Sequence, residues 1–273
     1  MLRILTISIL IALSQLGVAQ PEKIWETENL KTPESVYYHE PANVLFVSNI
    51  NGKPTNKAKN GFITKMSLEG EIIKRRWAQE LHAPKGMIAQ DGYLYVTDID
   101  RVAKVNIENG HVVKYIEIEG SKFLNDMEKY NDLIYVSDMK DNKLYVLEGD
   151  KPSTFKETGL TSSNGLYEED GILHSGNTNY ILSYDLDKEG EPSEKTKAEV
   201  GGIDGLKAYD AETFLTSDWK GNVYKVNRYG EEELILSTAD KNIQAADFEY
   251  IPSKKLLLIP TFFHNTVAAY RLD

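Results

Sequence analysis

The sequence contains no cysteine among its 273 residues. This absence excludes disulfide bonds, a cysteine nucleophile, cysteine-ligated zinc and iron–sulfur clusters. Basic residues are in the minority, because 31 Lys and Arg stand against 42 Asp and Glu, for a formal net charge of -11. A surface that binds nucleic acid or an anionic membrane would need the opposite balance. We therefore expect neither nucleic acid nor membrane among the partners of this chain.

Long hydrophobic runs are also missing, except at the N-terminus. Residues 1–20 read MLRILTISILIALSQLGVAQ, in which one arginine is followed by a short apolar run and then by small residues that end at Ala19. This order is typical of a secretory signal peptide cleaved after Ala19. An uncleaved membrane anchor is the alternative, but the apolar run is short for one. We predict a signal peptide over residues 1–19, a secreted or periplasmic location, and a single domain over residues 20–273.

The rest of the chain repeats one unit. A strand-like segment recurs six times, and its copies end at residues 49, 98, 138, 177, 218 and 261. The first interval is lengthened by the polar, turn-rich segment 51–60, which reads as a loop. Further alternating strands surround each copy, and four strands in about 40 residues are the signature of a β-propeller blade. We predict an all-β, six-bladed β-propeller with four antiparallel strands per blade.

The two ends of the chain complement each other. The last unit stops at its third strand, whereas a spare strand, residues 23–27, precedes the first unit. Pairing these two strands would close the ring and cover an exposed sheet edge. We therefore predict that the N-terminal strand completes the last blade.

In a propeller, the innermost strand of each blade lines the central channel, and its first residue lies near one mouth. The six copies of this position form a predicted ring: Glu34, Lys85, Asn125, Asn164, Asp204 and Ala246. Two carboxylates and one amide oxygen, from Glu34, Asp204 and Asn164, are ligands that suit Ca²⁺ or Mg²⁺, whereas zinc would more often recruit His or Cys. Asn125 could orient a substrate hydroxyl or a metal-bound water, and Lys85 could hold a carboxylate or phosphate. The alternative is a channel whose polar side chains only hold trapped water.

Other polar and aromatic residues should lie near the same mouth. His264 stands in the loop Phe262-Phe263-His264-Asn265 and is a predicted substrate contact. Trp219 is expected either to form a wall of the entrance or to pack between blades. The repeats close on residues that cap tight turns through side-chain-to-backbone hydrogen bonds, and we expect this role for Asp98, Asp138, Asn177 and Asp218.

The motifs Pro33-Glu34-Ser35, Asn125-Asp126, Asn164-Gly165-Leu166 and Asp204-Gly205 resemble the regucalcin/gluconolactonase family, the senescence marker protein type. The resemblance covers essentially all of the chain after residue 19. Segments 83–87, 98–102, 123–126 and 260–263 are similar to the short secreted bacterial members of this family.

The resemblance implies a six-bladed propeller with one divalent metal in the channel. It implies Glu34, Asn164 and Asp204 as metal ligands and Asn125 as a substrate contact. Asp204 would also act as the acid/base when a metal-activated water opens a lactone. We expect Ca²⁺, with Mg²⁺ or Zn²⁺ as alternatives. The lactonases of the family carry an arginine where this chain has Phe123, and Lys85 is our candidate for the missing positive charge.

Together these observations predict a monomeric, secreted, metal-dependent hydrolase of the gluconolactonase type. Its substrate would be a sugar lactone or a related small ester. A hypothesis from a different class is a non-catalytic propeller that binds a small ligand or a protein on its loop face.

Overall fold

The computed structural model describes residues 20–157, 159–188 and 191–272. The predicted signal peptide, residues 1–19, lies outside the described residues. The helices in the described ranges are short 3-10 turns, and none is long and apolar enough to cross a membrane.

The described strands form six antiparallel sheets of four strands each, arranged as the blades of a propeller. Strand β1 (Glu22–Thr27) comes first in the chain and belongs to blade 6. Blades 1 and 2 consist of β2 (Pro33–His39), β3 (Val44–Asn49), β4 (Gly61–Met66) and β5 (Ile72–Leu81), then β6 (Pro84–Gln90), β7 (Tyr93–Asp98), β8 (Arg101–Asn106) and β9 (Val112–Glu117).

The remaining four blades follow the same order from the channel outward. Blades 3 and 4 consist of β10 (Leu124–Tyr130), β11 (Leu133–Asp138), β12 (Lys143–Glu148) and β13 (Lys151–Lys156), then β14 (Leu166–Glu169), β15 (Ile172–Gly176), β16 (Tyr180–Asp185) and β17 (Glu194–Lys197). Blades 5 and 6 consist of β18 (Leu206–Asp210), β19 (Thr213–Asp218), β20 (Asn222–Asn227) and β21 (Glu232–Ser237), then β22 (Glu249–Ile251), β23 (Leu256–Pro260), β24 (Val267–Arg271) and β1.

Strand β1 closes the ring as predicted. It pairs antiparallel with β24, the third strand of blade 6, from Glu22 opposite Arg271 to Thr27 opposite Val267. It also contacts blade 1, because the Trp25 indole N–H donates to a backbone carbonyl of the β4–β5 turn at 3.0 Å. The fourth strand of the last blade therefore comes from the opposite end of the chain.

Apolar side chains fill the space between neighbouring blades. Each strand alternates, so that one set of side chains packs on the preceding blade and the other on the following blade. Blades 1 and 2, for example, share a buried cluster in which Phe46 and Trp77 of blade 1 pack with Leu94 and Val96 of blade 2. Comparable clusters lie between the other neighbouring blades. The core is thus divided among the blade interfaces, and the axis is left to the innermost strands.

The innermost strands approach one another closely near one end of the channel. A Cβ on Gly86 would lie 2.7 Å from the Cα of Asp126 in the next blade, and one on Gly165 would lie 2.7 Å from the Asp204 carbonyl oxygen. These glycines directly follow ring residues, where the sequence predicted small residues at a crowded axis. The close approach brings the ring side chains of neighbouring blades within reach of one another.

Candidate functional site

Local irregularities in strand pairing direct the side chains of the ring residues toward the channel in the first three blades. The register of the innermost strand shifts between Pro33 and Val36 in blade 1, between Pro84 and Met87 in blade 2, and between Leu124 and Met127 in blade 3. A register shift of this kind breaks the strict alternation of side chains and re-aims the residue at the irregularity. Glu34, Lys85 and Asn125 stand within these three segments.

The five polar ring residues meet at one cavity of about 530 Å³ at the channel mouth, which we call the channel pocket. Its polar floor consists of Glu34, Lys85, Asn125, Asn164 and Asp204. Each of these side chains is buried, with at most 7% of its residue surface exposed. The sixth ring residue, Ala246, packs instead in a small apolar cluster beside the pocket. The register predicted from the repeats therefore brings together the side chains that the sequence singled out.

Two neighbouring blades are joined across the floor of the pocket. The Asn164 side-chain amide Nδ2 donates to Asp204 Oδ1 at 2.6 Å, which leaves the Asn164 carbonyl oxygen Oδ1 buried and without a hydrogen-bond partner. Glu34 Oε2 is likewise buried and unpartnered. A buried oxygen without a partner is costly, so a water molecule, a cation or a donor from a ligand would stabilise this arrangement.

Burial also changes the acidity of both carboxyl groups. Loss of water raises the pKa of Asp204 to about 7, although the hydrogen bond from Asn164 opposes this shift. Burial raises the pKa of Glu34 well above its usual range, and the negative charge of Asp204 adds to the effect. Two carboxyl groups that disfavour ionisation next to each other are stabilised in the charged form by a cation.

The donor set fits a hard divalent cation. Glu34, Asn164 and Asp204 offer carboxylate and amide oxygens, the ligand types of Ca²⁺ and Mg²⁺. In the described ranges, no group of three or more His, Cys, Asp or Glu side chains is arranged to hold a metal ion. A site here would instead combine two carboxylates with one amide and leave coordination positions for water or substrate.

Lys85 brings positive charge to the opposite side of the floor. Its ammonium donates to the Ala83 carbonyl at 3.0 Å and lies 4.3 Å from the centre of the Phe123 ring. The Lys140 ammonium lies over the same ring at 4.6 Å. Two cations therefore flank Phe123, at the position where the lactonases of the resembled family carry an arginine. Burial lowers the pKa of Lys85, while the charge of Glu34 opposes that shift.

Aromatic side chains form the rim above this floor. Trp219 and Phe263 are 44% and 56% exposed, and both pack edge-on against the buried ring of Phe262. All three line the channel pocket. Of the two roles that the sequence left open for Trp219, the structure shows the wall of the entrance.

His264 is not brought into the channel pocket. It lines a separate depression beside Glu26, whose Oε1 lies 3.9 Å from His264 Nε2. Phe262, Phe263 and His264 form one 3-10 turn, in which successive side chains diverge by about 120°. The turn directs the two phenylalanines to the pocket and the histidine away from it.

The residues that close the repeats hold the loops that lead to the ring. Asp98 accepts the backbone N–H groups of His82 and Ala83 at 2.7 and 2.8 Å, just before Lys85. Asp138 accepts the N–H of Phe123 at 3.0 Å, just before Asn125. Asn177 accepts the N–H of Thr161, and Asp218 accepts that of Asn222 within its own turn. The predicted capping of the following turn is thus found for Asp138, which also accepts the N–H groups of Lys140 and Asp141, and for Asp218. Asp98 and Asn177 instead bond the loop that precedes the ring residue, so that three of the four side chains position the floor of the pocket.

A second layer of charged side chains lies deeper in the channel and was not singled out from the sequence. Its members, which we call the inner charge cluster, are Asp126, Glu128, Lys207, Asp247 and Glu249. Lys207 Nζ lies 3.8 Å from Glu128 Oε2. Burial raises the pKa of Glu128 to about 7, and the surrounding carboxylates raise the pKa of Lys207 despite its burial. The signal was available, because these residues stand one and three positions after the ring residues in the same repeat register.

Scans of protein-family models and of curated proteins find no match for this chain. Several solved structures do match. A catalytically inactive variant of virginiamycin B lyase from Staphylococcus aureus, in complex with quinupristin, is 12% identical with a TM-score of 0.62, and the match covers 91% of this chain and 99% of that one. The WD40 β-propeller domain of Doa1 is 14% identical with a TM-score of 0.62, over 88% of this chain and 78% of that one. The computationally designed protein Ika8 is 8% identical with a TM-score of 0.55, over 93% and 100%. At these identities the likeness establishes the β-propeller fold alone.

Proposed function

We propose that the protein is a divalent-cation-dependent hydrolase that opens a lactone or a related small ester in the channel pocket. The observation that carries this proposal is the buried floor of the pocket. There, Glu34 and Asn164 present oxygen atoms without partners beside the Asp204 carboxyl group. The resemblance to the regucalcin/gluconolactonase family, found in the order and spacing of its motifs, points to the same three residues.

In this proposal Glu34, Asn164 and Asp204 hold the cation, with Ca²⁺ as the first choice. A bound cation would polarise the substrate carbonyl and make a water molecule more acidic. Asn125 lies at the floor beside Asn164, where its amide can orient the substrate. Lys85 and Lys140 keep the Phe123 side of the pocket positive, which suits the oxyanion that develops as the carbonyl is attacked.

Asp204 handles the proton. As the water oxygen bonds to the carbonyl carbon, Asp204 accepts the proton that the water loses. When the ring C–O bond breaks, the same proton passes to the departing oxygen, so that the product is a hydroxy acid. General acid–base catalysis of this kind contributes about a hundredfold or more to the rate.

The test is lactone hydrolysis, followed by proton release, with and without a chelator. Wild type should turn over with Ca²⁺ and lose activity with chelator, and Asp204→Asn should lose about a hundredfold in kcat/KM. Asp210→Asn is the matched control, because Asp210 is an exposed residue of the same blade at the opposite mouth. Turnover that ignores the chelator, or no turnover across a broad lactone panel, would rule out the proposal.

The second candidate function is ligand binding without turnover. It is favoured by Phe123, which replaces the arginine of the lactonases that the chain resembles. A Ca²⁺-dependent rise in melting temperature without hydrolysis of any lactone would support it, since a ligand that binds the native state stabilises that state.

A further inference from the structure

The wall of the channel pocket is apolar above its polar floor. The side chains that form most of it are Pro54, Phe123, Met139, Ile203, Trp219 and Phe263. A polyhydroxylated ligand needs a donor or acceptor for each hydroxyl that it buries, and an apolar wall would leave those hydroxyls unpaired. An apolar ligand surface meets no such penalty and gains from leaving water.

The exposed aromatic rings of the rim are held in place. Trp219 and Phe263 are nearly perpendicular, with ring centres 5.9 Å apart. The loop that carries Phe262 and Phe263 is closed by backbone and hydroxyl hydrogen bonds between Thr261 and Thr266 at 2.9 to 3.0 Å. Phe262 itself has φ +48°, in the left-handed region that a bulky side chain rarely adopts. Such strain persists where the surroundings enforce it, and it is concentrated at ligand-binding sites.

The loop of segment 51–60 adds to the same wall. Asn51 and Asn60 exchange side-chain-to-backbone hydrogen bonds of 2.8 and 2.7 Å, which close the base of the loop, and Pro54 near its tip lines the pocket. The rim is therefore assembled from loops of at least three blades, each fixed by its own hydrogen bonds. A fixed apolar surface binds an apolar group without the entropy loss of ordering a loop.

From this geometry we infer the substrate class. The ligand has a carbonyl head that reaches the polar floor and a bulky apolar body, preferably aromatic, that packs against Trp219 and Phe263. The preferred substrates are thus aryl-substituted lactones or esters, in place of sugar lactones. The nature of the head rests on the proposed function, whereas the apolar body rests on the rim alone.

Three δ-lactones with the same ring test the inference: δ-valerolactone, its phenyl-substituted derivative and glucono-δ-lactone. Wild type should have the highest kcat/KM for the phenyl derivative, after subtraction of the uncatalysed rate. An aromatic contact contributes about 1.4 kcal/mol, or tenfold, so Trp219→Ala and Phe263→Ala should each lower kcat/KM for the phenyl lactone about tenfold and leave δ-valerolactone almost unchanged. Tyr229→Ala is the control, because this aromatic side chain is 88% exposed and lies outside the channel pocket.

Calorimetric binding of the two corresponding lactams, δ-valerolactam and its phenyl derivative, separates this inference from the proposed function. The phenyl lactam should bind about tenfold more tightly than the unsubstituted one, and Trp219→Ala should remove most of that preference. Tight binding of the phenyl lactam without hydrolysis of any lactone would end the hydrolase proposal and support the apolar body. Equal binding of the two lactams, no binding of either, or efficient hydrolysis of glucono-δ-lactone alone would overturn the inference.

Discussion

Replacement of Lys207 by methionine removes the cation of the inner charge cluster. Lys207 Nζ lies 3.8 Å from Glu128 Oε2. The carboxylates of Glu249, Asp126 and Asp247 also interact electrostatically with it. The side chains of Lys207 and Glu128 are only 21% and 14% exposed, so water replaces the lost cation poorly. Methionine keeps the apolar stem, and the change is therefore mainly one of charge.

The magnitude follows from the distance. Unit charges 3.8 Å apart attract each other by about 4 kcal/mol at an effective dielectric constant of 20. Removal of one partner of a buried ion pair costs up to about 3–5 kcal/mol, because the other charge is left buried and uncompensated. At pH 8 Glu128, whose pKa is about 7, can take up a proton for about 1.4 kcal/mol, and this limits its own share of the loss. The other carboxylates add to that share, so we expect Lys207→Met to lose between about 1.4 and 4 kcal/mol at pH 8.

The loss should shrink at low pH. Burial raises the pKa of Glu128 from its ordinary value of 4.5 to about 7, and removal of Lys207 raises it further. A carboxyl group whose pKa is higher in the folded than in the unfolded state binds its proton more tightly when folded. Proton binding by Glu128 therefore stabilises the folded state fully below pH 4.5, and this stabilisation is lost as the pH rises through 7. At pH 5 Glu128 is protonated and no longer needs Lys207.

Urea unfolding at pH 5 and pH 8, followed by tryptophan fluorescence, measures both values, since urea adds no ionic strength. The matched control is Lys114→Met, which removes a half-exposed ion pair with Asp150 and should cost less than about 1 kcal/mol at either pH. An equal loss of stability for Lys207→Met at pH 5 and pH 8 would show that packing, and not charge, explains the role of Lys207.

Three further predictions concern the pocket, the axis and the closure of the ring. Millimolar Ca²⁺ should raise the melting temperature of wild type more at pH 8 than at pH 5, because the raised pKa of Asp204, about 7, leaves this side chain protonated at low pH. Asp204→Asn should abolish the rise in melting temperature. An equal rise at both pH values would argue against Ca²⁺ binding at Asp204. Gly86→Ala should lower the free energy of unfolding in urea by about 1–3 kcal/mol, because the new Cβ would lie 2.6 Å from Asp126 Oδ1. The control is Gly120→Ala, in open space at φ +82°, which should lower it by only about 1 kcal/mol. Equal losses for the two variants would contradict the close approach of the strands at the axis. Removal of residues 20–30, which include β1, should lower the melting temperature of the whole propeller. As a control, a chain that begins at Glu22 should have the same melting temperature as one that begins at Gln20. A fully native melting curve without β1 would show that this strand is not needed to close the ring.

The repeat register was sufficient to predict the fold and the floor of the pocket. Strand β1 pairs with β24, the loop over residues 51–60 lies between β3 and β4, and the five polar ring residues meet at one mouth. These features depend on backbone position, and backbone position follows from a repeat of nearly constant length. Asn164 and Asp204 are 40 residues apart in the chain, which is one blade, and this distance explains why they are neighbours at the axis.

Side-chain direction at the channel mouth could not be predicted in the same way. His264 and Phe263 are adjacent in sequence, and only the 3-10 turn at Phe262–His264 decides which of them reaches the pocket. Such local choices are made by loops whose lengths differ from blade to blade, and no period in the sequence reports them.

This difference explains why the family resemblance and the proposed apolar body of the ligand point to different substrates. The floor follows the repeat, and under the proposed function its oxygen atoms and its lysine would bind the reacting end of a ligand. The wall comes from loops that do not repeat, and its aromatic rings describe the part of the ligand that does not react. An enzyme discriminates between substrates with the same reacting group through contacts to the rest of the molecule. Under the proposed function, the floor would therefore determine the reaction, whereas Trp219 and Phe263 would determine the substrate.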